Sequence, residues 1–444
     1  MAERVVILGG GESGTGAALL AKAKGYDVFV SDMGTLKDKY RDEILNAGIA
    51  FEEGKHTPGL ILNASIIIKS PGIPDKAEMV KKAKALGIKV IDELEFGFQY
   101  VKGKVIAITG TNGKTTTTLL TYHLMKSAGK DVALAGNVGL SLARQVINAT
   151  HEWYVIEISS YQLDGTVTFK PSVGVLLNIT PDHLDRYEYK MENYINSKFR
   201  ITGNMEKDAA FIYCADDPIT NDEVSKRSLV PKLIPVSLKN AKDNTMSFGS
   251  FSVKQSETTL KGPHNLINTM SAVNAALFAG VSEENIRAAL KTFRNAPHRL
   301  ESVGTINGVE FVNDSKATNV DSVIYGLGSY TRPKSLVWIA GGIDKGNDYN
   351  LIKDQVEKKV HTLISLGKDN LKLKDFFSPV LGKDHVLETQ SVKDLVRMAL
   401  KNAKQNDVVL LSPACASFDL FRNYEDRGDQ FRAAVVELKK ELGQ

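Results

Sequence analysis

Twice in this chain a run of strand-forming residues leads straight into a glycine-rich loop and then a helical pattern. Arg4–Leu8 enters Gly9-Gly10-Gly11-Glu12-Ser13-Gly14, with a helix predicted over 17–24. Lys104–Thr109 enters Gly110-Thr111-Asn112-Gly113-Lys114-Thr115-Thr116, with a helix carrying apolar Leu119, Leu120, Leu124 and Ala128 and capped by Gly129. Strands alternating with helices in this way build parallel sheets, so the fold class is α/β. Further strands are predicted at Asp27–Ser31, 65–68, 89–91, 154–158 and 173–179, and then at 309–312, Leu336–Ala340, 361–366 and 407–411. A less regular, strand-rich part covers 209–260, and helices follow His264 and Ser282.

The 444 residues suggest roughly three domains, divided here at 1–93, 94–297 and 298–444. We expect a Rossmann-like N-terminal domain, a central P-loop-type ATPase domain with a mainly parallel sheet, and a Rossmann-like C-terminal domain. A net charge of +4, with basic and acidic residues interleaved, argues against a nucleic-acid or membrane-surface partner. Cys214 and Cys415 are too distant in sequence for a disulfide framework or a cysteine zinc site. No apolar run approaches a membrane span, and the opening residues are too short for a signal-peptide core. The expectation is a soluble cytoplasmic protein.

In open α/β sheets, ligands bind beyond the carboxyl ends of strands. Residues 110–116 have the physics of a phosphate cradle there. Glycines let backbone N–H groups approach the anion, Lys114 reaches the phosphates, and the Thr115 hydroxyl is a Mg²⁺ ligand. The spacing is shorter than the usual Walker loop, because Ile108 stands where the first glycine would be. The plain alternative is a glycine turn with a surface lysine.

Two charges stand at apolar positions. Glu157 lies in a strand of apolar residues, where a carboxylate needs a cation or a hydrogen-bond donor; the competing reading is an edge strand facing water. Lys198 follows Met191, Tyr194 and Ile195 at i, i+3, i+4 and i+7, a core-facing slot on a helix. Burial there would leave a neutral amine able to take up CO₂ as a carbamate; the competing reading is a lysine snorkelling to solvent. Asp182-His183 follows the strand over 173–179, with Asp182 equally readable as a helix N-cap.

Together these segments resemble the ATP-dependent Mur ligases of peptidoglycan synthesis over essentially the whole chain. The resemblance rests on Gly110–Thr116 as quoted, Glu157-Ile158-Ser159-Ser160, Asp182-His183-Leu184-Asp185, Lys198 and Gly262-Pro263-His264-Asn265. It continues through His298-Arg299-Leu300-Glu301 and Asn313-Asp314-Ser315-Lys316-Ala317-Thr318-Asn319. Leu411-Ser412-Pro413-Ala414-Cys415-Ala416-Ser417-Phe418-Asp419, with Tyr424 and Arg427-Gly428, points to the branch that adds D-glutamate to UDP-N-acetylmuramoyl-L-alanine.

The resemblance implies that Gly110, Thr111, Asn112, Gly113, Lys114, Thr115 and Thr116 bind ATP phosphates, with Asn268, Arg299 and Asp314 on the adenosine part. It implies two Mg²⁺ ions, held by Thr115, Glu157, His183 and carbamylated Lys198, and assigns catalysis to Lys114, Glu157, His183 and Lys198. Lys316 would lie near the phosphates. Ser13, Asp32 and Gly72 would contact the UDP end of the UDP substrate, Asn137 and His183 would contact its muramoyl-alanine portion, and Thr318, Lys345, Ser417, Phe418 and Tyr424 would surround D-glutamate. The expected enzyme is monomeric, and its partners are these small molecules alone.

Three rivals remain open at this point. Residues 9–14 also fit a dinucleotide fingerprint, with Asp32 ending the next strand, as in an NAD-dependent oxidoreductase. A P-loop switch or motor would use the same cradle without a small-molecule acceptor. Folylpolyglutamate synthases share the phosphate loop and three-domain plan but lack the 412–419 segment.

Overall fold

The computed structural model describes residues 2–249 and 251–444. They form two compact units, one running to Thr259 and adding Leu266–Phe293, the other comprising Leu260–Asn265 and Arg294–Gln444.

The first unit holds two parallel sheets. Strands β1 (Arg4–Leu8), β2 (Asp27–Ser31), β3 (Ala50–Glu52), β4 (Ile66–Lys69) and β5 (Lys89–Asp92) pair in the order 3-2-1-4-5. Their middle residues, such as Val5, Val6, Ile7, Ile67 and Ile68, are fully buried. A sheet covered on both faces demands such unbroken apolar runs. The order reverses at β1, so the loops after β1 and β4 lie side by side.

The second sheet comprises β6 (Lys104–Thr109), β7 (Val132–Gly136), β8 (Trp153–Glu157), β9 (Val173–Leu176), β10 (Ala210–Cys214) and β11 (Lys232–Val236), in the order 11-10-9-6-8-7. Central β6 has β9 on one side and β8 on the other, so three strand ends converge on the loop at 110–113. A small antiparallel pair, β12 (Thr245–Ser247) and β13 (Ser252–Lys254), accounts for the irregular part of this stretch.

The second unit has β14 (Glu301–Ile306), β15 (Val309–Asn313), β16 (Leu336–Ala340), β17 (Val360–Leu366), β18 (Val386–Thr389) and β19 (Val408–Leu411), in the order 14-15-19-16-17-18. Only β14 and β15 pair antiparallel; the remaining pairs are parallel. Trp338, fully buried, anchors this core by donating its indole N–H to Ser412 O at 2.8 Å.

Several expected boundaries move. The first helix begins at Glu12 rather than at 17, so the glycine loop itself supplies its first turn. The helix after the phosphate loop has Ala128 as its C-cap, and Gly129 follows in the left-handed region at φ +77°. Strand β9 stops at Leu176 rather than at 179, because the residues beyond it bond to the phosphate loop instead of a ladder. Strands β3, β7, β14 and β18 were not foreseen. β3 and β18 are short, at 3 and 4 residues, and β14 is half-exposed, so none of these three carries a long apolar run; β7, Val-Ala-Leu-Ala-Gly, is apolar throughout and carried a signal all the same.

Candidate functional site

The loop after β6 needs glycine twice. Gly110 has φ +148° and Gly113 φ +85°, and a Cβ on Gly113 would lie 2.4 Å from Asn268 Oδ1. Gly113 is the N-cap of the helix Lys114–Ser127, whose first-turn N–H groups open toward the loop. The loop is pinned from β9's end. Thr111 N donates to Asn178 O at 2.9 Å, Asn112 N to Asn178 Oδ1 at 2.8 Å, and Thr111 Oγ1 to Thr180 O at 3.1 Å. Asn178 was missed from sequence; its signal was a polar residue just past an apolar strand beside the cradle.

Lys114 Nζ folds back on its own loop, donating to Gly110 O and Thr111 O, both at 2.9 Å. Lys198 Nζ donates to the same Gly110 O at 2.9 Å and lies 4.6 Å from the Tyr194 ring centre. With the Lys198 side chain 1% exposed, snorkelling is excluded. Burial first, and the Lys114 charge second, hold Lys198 well below the usual lysine pKa.

Strand β8 lies between β6 and β7, so Glu157 is not on an edge. It ends its strand opposite Ile108 and Gly136, is 5% exposed, and its Oε2 has no hydrogen-bond partner among the described residues. Asn137 N donates to Glu157 O at 3.0 Å, which brings Asn137 alongside. An orphaned carboxylate oxygen with a threonine hydroxyl at Thr115 is the hard-oxygen donor set Mg²⁺ takes. Among the described residues no group of three or more His, Cys, Asp or Glu gathers into a metal cage.

His183 stands apart from Glu157 and Lys198 in its environment. It is exposed, in the left-handed region at φ 53°, with Asp182 Oδ2 3.5 Å from its Nε2. It is also the N-cap residue of the turn Leu184–Tyr187, so Asp182 does not take that position.

At the first sheet, a Cβ on Gly14 would lie 1.7 Å from Gly9 O, so the helix closes tightly on the loop. Asp32 braces that loop: its carboxylate accepts from Gly10 N at 2.6 Å and Gly34 N at 2.7 Å. Glu12 turns away toward Arg144, with Nε to Oε1 at 3.0 Å. Ser13 is half-buried in the first helical turn, and Gly72 follows β4 in the neighbouring loop.

In the second unit, Asp314 follows β15. Its carboxylate accepts from Ser412 Oγ at 3.0 Å and Leu300 N at 3.2 Å, and burial pushes its pKa up to about 7. Arg299 is half-buried next to Leu300. Lys316 Nζ lies 3.9 Å over the Tyr424 ring, and Thr318 is half-buried two residues on. Lys345 is exposed, Ser417 buried and Phe418 exposed. Arg427, unassigned from sequence, is 1% exposed and binds Ser315 Oγ and Ser315 O at 2.9 Å, Cys415 O at 3.2 Å and Gly341 O at 3.3 Å. It ties together the loops after β15, β16 and β19. Its signal was a charge on the buried stripe Arg427, Phe431, Val435 and Leu438 of the last helix.

Comparison with known proteins matches three family models in chain order. They are the Mur ligase MurD-like N-terminal domain over residues 3–92, the Mur ligase middle domain over 108–276, and the Mur ligase glutamate ligase domain over 298–415. A UDP-N-acetylmuramoylalanine–D-glutamate ligase of Cytophaga hutchinsonii is 50% identical, covering 99% of this chain and 100% of that one. One of the same description from Bacteroides thetaiotaomicron is also 50% identical, covering 98% and 100%. Among solved structures, a UDP-N-acetylmuramate–alanine ligase from Thermotoga maritima superposes with a TM-score of 0.62 at 17% identity, covering 98% and 100%. Three α/β domains with mostly parallel sheets are the architecture these proteins share. The chain belongs to the Mur ligase family.

Proposed function

We propose that this chain joins D-glutamate to UDP-N-acetylmuramoyl-L-alanine, converting ATP to ADP and phosphate, as a step of peptidoglycan precursor synthesis. The observation that carries the reading is the meeting of Lys114 and buried Lys198 on Gly110 O, in the loop after a strand paired with the strand that ends in Glu157, whose Oε2 has no hydrogen-bond partner among the described residues. Names of relatives at 50% identity over the full length support the same substrates.

A carboxylate does not condense with an amine at neutral pH without activation. In this reading the γ-phosphoryl group passes to the substrate carboxylate: one P–O bond to ADP breaks as another forms to the carboxylate. The D-glutamate amine then attacks the carbonyl carbon, phosphate leaves, and the amine releases its proton. Lys114 holds the phosphates as their charge shifts. The reading assigns Asn268, Arg299 and Asp314 to adenosine and Lys316 to the phosphates. Ser13, Asp32, Gly72, Asn137 and His183 bind the UDP substrate, and Thr318, Lys345, Ser417, Phe418 and Tyr424 receive D-glutamate.

Thr115 with Glu157, and His183 with Lys198, would hold Mg²⁺, which when bound supplies charge neutralisation at the phosphates. Lys198 takes this role after its neutral amine adds CO₂ and loses one proton to become a carbamate. Its burial supports this, because the neutral form is the reactive one. The division at 93 and 297, a monomeric state and a cytoplasmic location belong to the same reading. The limits of the family models at 92 and 298 support the first. For the last, no helix among the described residues is long and apolar enough to cross a membrane.

The test is phosphate release with ATP, Mg²⁺ and UDP-N-acetylmuramoyl-L-alanine. Release should require D-glutamate and not occur with L-glutamate, L-alanine, L-lysine or diaminopimelate. Equal release without any amino acid would favour an ATPase switch, and NAD(P)H consumption at 340 nm would favour the oxidoreductase.

A further inference from the structure

One side chain joins two loops assigned above to different parts of the substrate. Arg186, in the 3₁₀ turn Leu184–Tyr187, donates from Nη2 to Pro71 O at 2.9 Å, and its Nη1 lies 3.5 Å from Gly72 O. Its guanidinium carbon stands 4.0 Å over the Tyr161 ring. That same Tyr161 ring packs against the His183 imidazole, with centroids 5.1 Å apart.

The turn is held rather than loose. His183 at φ 53°, Glu188 at φ 56° and Tyr189 at φ 57° occupy the left-handed region, which non-glycine residues adopt only when neighbours impose it. Arg186 N donates to His183 O at 3.0 Å, and Tyr187 OH anchors the turn on Asp164 at 2.9 Å. The His183 side chain itself has little else to locate it beyond Asp182 at 3.5 Å. Its direction is therefore set by the Tyr161 ring and by the backbone Arg186 secures. A planar guanidinium is suited to this double task. It can fork across two carbonyls while stacking on an aromatic face, whereas an ammonium cannot do both.

We propose that Arg186 is a positioning residue that links occupancy of the 70–72 loop by the UDP end of the substrate to the placement of His183. The inference rests on the proposed UDP site. A nucleoside diphosphate settling against Gly72 would shift the Pro71 and Gly72 carbonyls, and the guanidinium bound to them would carry that shift to Tyr161 and His183.

The experiment uses UDP alone, which lacks the muramoyl-alanine part and cannot reach His183 by way of it. The full chain, labelled with ¹⁵N-histidine, contains 8 histidines, and the His183 ring signals are assigned by their loss in His183→Gln. UDP added at fixed pH without Mg²⁺ should shift those signals in the wild type. In Arg186→Lys the shift should vanish while calorimetry still registers UDP binding. The KM for UDP-N-acetylmuramoyl-L-alanine should rise about tenfold, the loss of about one charge-assisted hydrogen bond, with the KM for ATP unchanged. Tyr161→Leu, which keeps the Arg186 bonds but removes the stack, should also abolish the shift, and it stands in if the first variant fails to fold. A wild-type chain that binds UDP with no His183 shift overturns the inference alone, as does a shift that survives both substitutions. Failure of the wild type to bind UDP overturns the UDP site and the inference with it.

Discussion

Gly113→Ala should damage ATP use specifically, and the size of the effect follows from one backbone angle and one distance. At φ +85° an alanine is held in the left-handed region, costing roughly 1–2 kcal/mol. Its Cβ would also lie 2.4 Å from Asn268 Oδ1, about 1 Å inside ordinary contact, so Asn268 or the loop must move. A combined cost of about 2 kcal/mol corresponds to roughly 30-fold in kcat/KM for ATP. Gly129→Ala is the matched control. It sits at φ +77° just beyond the same helix, with nothing within 4 Å of its would-be Cβ. Both variants should lose thermal stability, but only Gly113→Ala should raise the KM for ATP, with the KM for the UDP substrate unchanged in each. Steady-state phosphate release at varied ATP decides the matter. If the two variants show the same ATP kinetics, the cradle is not where the nucleotide binds.

Other perturbations have equally definite outcomes. Glu93 is 1% exposed, accepts from Ala143 N at 2.6 Å, and burial pushes its pKa from 4.5 up to about 7. A raised folded-state pKa favours the protonated form. Its contribution is therefore complete below pH 4.5 and falls by about 3 kcal/mol as pH rises to 7. Glu93→Gln should accordingly melt higher relative to wild type at pH 8 than at pH 5; the same difference at both pH values would contradict this. Arg427→Lys cannot reach Ser315, Gly341 and Cys415 together, so the KM for D-glutamate should rise about tenfold while the KM for ATP stays constant. Lys198→Ala should lower ligation by about 100-fold or more, with partial rescue by short carboxylic acids; full activity without them would refute the carbamate.

The elements legible in the sequence are those whose chemistry is local. The strand, two glycines and lysine of 105–114 are contiguous, and physics at that spacing leaves few alternatives. Lys198 was legible because a helix repeats every 3.6 residues and a charge in the apolar register stands out. Arg427 carries the same signal, on the stripe with Phe431 and Val435, and passed without assignment because its partners lie on three loops distant in sequence. Asn178 was hidden by the apolar run that precedes it: residues 177 and 179 extend the strand pattern, but tertiary bonds to Thr111 and Asn112 end the strand at Leu176. Asp32 shows the opposite limit. Its position after β2 was evident, while its bracing of Gly10 and Gly34 depends on backbone geometry that no spacing reports.

The central claim is that the substrate carboxylate is phosphorylated before the amide forms, and oxygen tracing tests it most directly. UDP-N-acetylmuramoyl-L-alanine labelled with ¹⁸O in its carboxylate is turned over with ATP, Mg²⁺ and D-glutamate, and the products are weighed by mass spectrometry. The account predicts one ¹⁸O in each phosphate released and one retained in the new amide. Unlabelled phosphate, or phosphate released at the same rate without D-glutamate, would contradict it.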